Sequence, residues 1–142
     1  MIRLSCLSLS FQQQFRAGKM DMFSFLKFAK SLNLDGIDPH FQHLVRLDRL
    51  YLKQIRRQAL DNGLTISSMP VSTEFGMSAE RIPAEIEKAR VAMETGLFLG
   101  APILRVFVGS APSPEKTDEA FKRGVDALHR CAEIGADLGM GR

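Results

Sequence analysis

Four apolar, β-favouring segments begin near Ile2, Leu34, Leu64 and Pro102, and each is followed by a stretch of helical period. Their starts lie 32, 30 and 38 residues apart. No other feature constrains the fold as much. A connection long enough to hold a helix returns the chain to the same end of the sheet, so strict alternation at this spacing means parallel strands with helices packed outside them.

The helical stretches carry their own start and stop signals. The first, about residues 21–32, places Met22, Phe25, Leu26, Ala29 and Leu32 on one stripe behind Asp21 as N-cap. The second, about residues 48–62, has Asp48 as N-cap, a stripe of Tyr51, Leu52, Ile55 and Ala59, and Gly63 where a left-handed residue ends the helix. The third runs from Pro83 through Ile86, Ala89, Met93 and Leu97 to Gly100. The fourth, about residues 118–138, is expected to bury Phe121, Val125, Leu128 and Ala132 behind a Thr117 cap, leaving Lys122, Asp126, His129 and Glu133 in water.

The segment PILRVFV, residues 102–108, narrows the kind of sheet. Leu104, Val106 and Val108 face the helices, while Ile103, Arg105 and Phe107 face the other way. An open doubly wound sheet covers that second face with further helices, where an arginine is costly. A barrel tolerates polar groups near its strand ends, where Arg105 is expected to pair with an inward carboxylate such as Asp38. The 142 residues give about 35 per unit, against about 31 in a (β/α)₈ barrel of roughly 250 residues, which suggests half a barrel. Periodicity alone leaves a small flavodoxin-like sheet open.

Composition excludes several classes. The chain is 45% hydrophobic and 25% charged, like an ordinary soluble globular domain. No apolar run approaches the roughly 18 residues that span a bilayer. The opening MIRLSCLSLSF is broken by three serines and lacks a small-residue cleavage site, so it reads as a first strand of a cytoplasmic protein rather than a leader. Cys6 and Cys131 lie far apart with no metal-type spacing and read as buried free thiols. A net charge of +3, with Lys and Arg interleaved among Asp and Glu, does not argue for nucleic acid.

In parallel α/β folds the C-terminal strand ends carry the site. Here they offer Ser8 and Ser10, then Asp38, His40 and His43, then STEFG at residues 72–76, then Gly109 and Ser110. His40 and His43 form an H-x-x-H beside Asp38, but without a third ligand the pair reads as loop histidines or a substrate contact rather than a metal site. Glu74, beside Phe75 and Gly76, is a better site candidate than the histidine pair, since a carboxylate at a barrel mouth can bind a sugar hydroxyl or tune a proton; the competing reading is a solvated loop glutamate. His129 has no assigned role. The glycines of the closing GADLGMGR have no strand before them, so they form no dinucleotide fingerprint, and no Gly-x-Ser-x-Gly elbow occurs.

Three stretches, SFQQQFRAGKMDMFSFLKFAKSLNLDGID, YLKQIRRQALDNGLTISSMPVSTEFG and LGAPILRVFVGSAP, resemble in order the first four βα units of the xylose-isomerase-like TIM-barrel superfamily, the sugar phosphate isomerases/epimerases. The resemblance covers about residues 2–139. It implies a barrel enzyme that uses a divalent metal such as Mn or Mg, with paired carboxylates moving a proton beside a sugar carbonyl. It also implies that the acidic metal ligands and the acid/base pair come from the fifth strand onward. No catalytic or metal-binding residue and no cofactor is therefore expected in this chain. What carries across is a substrate-binding wall: Asp38, His40, Glu74 and Phe75. The closing GMGR does not resemble the family's fifth strand, which is the pattern expected of a truncated or frame-shifted product. The endonuclease-type branch implies zinc-binding histidines at the ends of strands three and four, where this chain has Ser72, Thr73 and Gly109.

The expectation is one partial domain, residues 1–142, the N-terminal half of a TIM barrel in four βα units. Its ligand is expected to be a sugar or sugar phosphate, with no nucleic acid and no membrane as partners, and the chain alone is expected to be inactive. An alternative is a non-catalytic half-barrel. Its open strand edges and inner face favour a homodimer or a complementing half.

Overall fold

The alternation is realised as parallel ladders in a computed structural model that describes residues 2–140. β1 (Ser5–Leu7), β2 (Gly36–Asp38) and β3 (Thr65–Ile66) pair in that order, and β4 (Met69–Pro70) pairs with β5 (Leu104–Arg105). β3 and β4 are two halves of one extended passage. The Ser67 N–H still donates to the Ile37 carbonyl at 3.1 Å, whereas the Met69 N–H donates to the Ile103 carbonyl at 2.9 Å. In a regular strand residues two apart donate to the same neighbour, so this change of partner marks a bulge at Ser67 and Ser68. Bulges bend a strand, and a curved wall needs that bend.

Each strand passage is followed by helix. A short α1 (Gln12–Arg16) precedes α2 (Met22–Ser31), and α3 (Arg49–Asp61), α4 (Ile82–Leu99) and α5 (Thr117–Leu138) follow the later strands. The result is the parallel, partial TIM barrel expected from the sequence, with no closed barrel among the described residues. α1 was not foreseen. The two early caps behave as expected. Asp21 and Ser24 satisfy each other's backbone N–H groups, at 2.7 and 2.9 Å, and the Tyr51 N–H donates to Asp48 Oδ1 at 3.1 Å.

The main core lies between the first ladder and its helices. Met22, Phe25, Leu26 and Ala29 of α2 and Ile55 of α3 close over Ile37 with no exposed surface. Each large side chain buried this way contributes roughly 1.5–3 kcal/mol. A second cluster holds Phe75, Ala89, Met93, Ala127 and Cys131 under α4 and α5.

Three expectations are corrected. α5 buries Ala120, Gly124, Ala127, Cys131 and Gly135, while Phe121 and Leu128 stay 68% and 37% exposed. The reason is close approach: a Cβ on Gly124 would lie 2.6 Å from Val108 Cγ1, so only small residues fit that face. Thr117 is not an N-cap; it is the first helical residue, and its hydroxyl donates to the Pro114 carbonyl at 2.7 Å. Arg105 does not pair with Asp38, because its guanidinium lies over the Phe107 ring at 4.6 Å and Asp38 has other partners. The strand faces are as expected, with Leu104 and Val106 against the helix side and Ile103 exposed. Cys6 and Cys131 are free thiols. Among the described residues no helix is long and apolar enough to cross a membrane. The last two residues of the closing GMGR lie outside the described residues.

Candidate functional site

Asp38 ends β2 with its side chain on the face away from the helices. Ser5 donates to its Oδ2 at 2.7 Å, and Ser67 and Ser68 both donate to its Oδ1 at 2.7 Å. Consecutive residues of a regular strand face opposite ways, so the bulge is what brings two adjacent serines to one carboxylate oxygen. The ladder under this group is tight: a Cβ on Gly36 would come within 2.6 Å of the Thr65 carbonyl oxygen.

Two residues on, the chain turns inward. Ser8, His40 and His43 are all buried. The His40 N–H donates to Ser8 Oγ at 2.8 Å, and Ser8 Oγ lies 2.9 Å from His43 Nδ1. His40 Nδ1 accepts from the Gln42 N–H at 3.3 Å, so in the neutral ring Nε2 carries the proton and donates to Ser72 Oγ at 3.2 Å. Burial, with the nearby His43 and Arg105 adding to it, pushes the His40 pKa down to about 4. Its imidazole is therefore neutral at pH 7. Burial and Arg16 lower the His43 pKa too, and that ring stacks on Phe15 of α1 at 4.0 Å.

The loop after β4 is held differently. Thr73 Oγ1 accepts from the Phe107 N–H at 3.0 Å and donates back to the Phe107 carbonyl, replacing a missing ladder step. The Glu74 N–H donates to Glu85 Oε2 at 3.0 Å, and that buried carboxylate also pairs with Lys88 at 2.7 Å. Gly109, at φ +80°, lets the chain leaving β5 pass close by: a Cβ there would sit 2.9 Å from Glu74 Cα. Glu74 itself is exposed.

His40 and Ser72 are joined directly, and Asp38 and Glu74 each lie two residues from that link. Phe75 is set apart. It has no exposed surface and packs under α4 and α5, so it anchors the loop from the helix side and presents nothing to a ligand. Sequence reading missed Glu85, α1 with its Phe15, and the joint use of Ser67 and Ser68. Glu85 carries no local signal, since an acid in a first helical turn is explained by the helix dipole.

These residues do not fit a metal centre. Among the described residues no group of three His, Cys, Asp or Glu side chains converges. Both Asp38 oxygens accept serine hydroxyls, and both His40 nitrogens are engaged. What the strand ends bring together is several serine hydroxyls, a neutral imidazole and the exposed Glu74 carboxylate.

Comparison with known proteins agrees with the fold. The family model described as "Xylose isomerase-like TIM barrel" matches residues 26–140. No curated protein matches at a significant level. Among solved structures, the probable 3-DHS dehydratase AsbF of Bacillus anthracis is 19% identical with a TM-score of 0.77, over 98% of this chain and 50% of that one. A D-psicose 3-epimerase crystallised in the presence of D-fructose is 17% identical with a TM-score of 0.71, over 85% of this chain and 45% of that one. The 3-keto-D-glucoside 4-epimerase YcjR of E. coli is 16% identical with a TM-score of 0.66, over 84% and 49%. At these identities the likeness is one of fold, and the chain spans about half the length of each.

Proposed function

The chain belongs to the xylose isomerase-like TIM barrel family, and on that premise we propose that its strand ends form one wall of a site for a sugar or sugar phosphate. In such a site a proton is moved beside the carbonyl, as in isomerases and epimerases. The observation that carries this reading is the His40–Ser72 link, which sets a neutral ring and two carboxylates, Asp38 and Glu74, around one end of the strands. Two of the structural neighbours are named as epimerases of a sugar or a keto-glucoside, which supports the ligand class.

The residue roles follow from what each side chain has left to offer. Glu74 is exposed and accepts ligand hydroxyls. His40, kept neutral, orients Ser72 as the neighbouring hydroxyl donor. Asp38, already accepting three hydroxyls, holds the serine-lined floor. The described residues provide neither a metal ligand set nor a free carboxylate pair, so no proton-transfer step is assigned to them.

The test is a titration of the isotope-labelled chain with D-fructose, followed by amide chemical shifts. Shifts at His40, Ser72 and Glu74 are expected, with binding weakened about tenfold in Glu74→Gln, because a hydrogen bond to a charged group is worth roughly 1.5–3 kcal/mol. Silence of these signals up to about 100 mM sugar overturns the reading. The chain alone is expected to show no isomerase or epimerase turnover. Turnover that a chelator removes and Mn or Mg restores would show that the chain does hold a working metal site.

A further inference from the structure

Between the turn from α1 to α2 and the loop after β2 lies a cavity of about 410 Å³, within the usual size of a small-molecule site. Its walls are apolar at Phe15, Met20 and Val45 and polar at Arg16, Asp21 and His43. None of these residues belongs to the strand-end wall of Ser72 and Glu74.

The His43 ring is 8% exposed and stacks on Phe15. Ser8 Oγ already accepts the His40 N–H, and among the described residues the proton of that hydroxyl meets no acceptor but His43 Nδ1. Ser8 therefore donates to Nδ1, and the neutral ring carries its own proton on Nε2. Nε2 has no partner among the described residues, yet it is not sealed in the interior, so its N–H opens into the cavity that the ring lines. A donor this nearly buried is costly to leave unpaired.

Two opposite charges flank that donor. Arg16 is exposed, lies close enough to add to the effect of burial in lowering the His43 pKa, and forms no ion pair among the described residues. Asp21 accepts the Ser24 N–H on Oδ1 at 2.7 Å, which holds its pKa below the ordinary value and keeps it charged. Its Oδ2 has no hydrogen-bond partner among the described residues. Arg16 and Asp21 thus line one cavity without pairing with each other.

A ligand with a single charge satisfies one of these groups and is repelled by the other, whereas a zwitterion satisfies both. We propose that this cavity binds a free α-amino acid with an aliphatic side chain. The carboxylate meets Arg16 and the His43 Nε2–H, the ammonium meets Asp21, and the side chain lies on Met20 and Val45. This site stands whether or not the strand ends take a sugar.

Titration of the isotope-labelled full chain with L-leucine, followed by amide and imidazole chemical shifts, tests this. Saturable shifts are expected at Gly18, Gln42 and the His43 ring, with Ser72 and Glu74 unmoved. Isocaproate, which lacks the ammonium, and L-leucinamide, which lacks the carboxylate, are each expected to bind about tenfold more weakly. Arg16→Gln and Asp21→Asn are expected to weaken leucine by about the same factor. Asparagine also caps a helix, so Asp21→Asn should leave the far-UV circular dichroism unchanged. Absence of shifts up to about 100 mM leucine, equal binding of isocaproate or leucinamide, or an affinity indifferent to either substitution would each overturn the proposal. Shifts confined to Ser72 and Glu74 would overturn it as well, because leucine would then be a ligand of the strand ends.

Discussion

The two ladders hold their strand ends by different means. In β1–β2–β3 the work is done by side chains turned inward: Asp38 collects three serine hydroxyls, and Ser8 ties the His40 backbone to the His43 ring. In β4–β5 the ties run to the backbone. Thr73 stands in for a ladder step with Phe107, the Gly76 N–H donates to the Val108 carbonyl at 2.8 Å, and Glu85 holds the Glu74 N–H. The first ladder thus uses its polar side chains to secure itself. The second is secured through its backbone, which leaves the Glu74 carboxylate exposed. Polar residues at a strand end therefore divide into those whose side chains hold the wall and those whose side chains stay exposed.

Substitutions can break or sharpen that contrast, and the largest effect is expected where the first ladder is tightest. Gly36→Ala drives a methyl against the Thr65 carbonyl, and a loss of about 3 kcal/mol in urea unfolding is expected. Gly109→Ala meets both a positive φ and the Glu74 backbone, so about 2 kcal/mol is expected, together with displaced Glu74 amide signals while the β1–β2 signals stay put. If Gly109→Ala disturbed both ladders equally, the division between them would be lost.

Between about pH 6.5 and 4, acid should act through the two buried histidines of the first ladder. The folded His40 pKa, about 4, lies below its ordinary value of 6.5, so between those pH values the unfolded chain binds a proton that the folded chain refuses. Stability is therefore expected to fall as pH drops from about 6.5 to about 4 and to lose no more from this group below that. His43 is shifted the same way and adds to the slope. Thermal unfolding across this range, compared with His40→Asn, measures the share of one ring; a Tm that does not change with pH would remove the buried neutral histidine from the account. The smallest effects come from the two acids. Asp38→Asn is expected to cost about 1 kcal/mol, since three hydroxyls lose a charged acceptor, whereas Glu74→Gln should stay within about 0.5 kcal/mol and alter only ligand binding.

Much of the fold was legible because local rules and global packing agree. Asp21 and Asp48 cap where their spacing to the apolar stripes places them, and the stripe of Tyr51, Leu52, Ile55 and Ala59 is buried as a face. α5 was misread because hydrophobicity ranks Phe121 and Leu128 above Gly124 and Ala127, while close helix packing selects for size. In the candidate site, Asp38, His40 and Glu74 were visible as polar residues at strand ends. Phe75 was visible too, but alternation along an irregular loop did not reveal that it faces the helices.

What the sequence by itself determined was the order of strands and helices, their parallel sense and the end of the wall where polar groups collect, because these follow from periods and spacings along the chain. Tertiary structure alone decided that Ser67 and Ser68 share one carboxylate oxygen, that Arg105 stacks on Phe107 rather than meeting Asp38, and that Glu85 holds the Glu74 loop. Each of these depends on a bulge or a contact between residues from different parts of the chain. Period and propensity describe neighbours along the chain, whereas the partners of a buried polar group are set by which segments the fold brings to within about 3 Å of it.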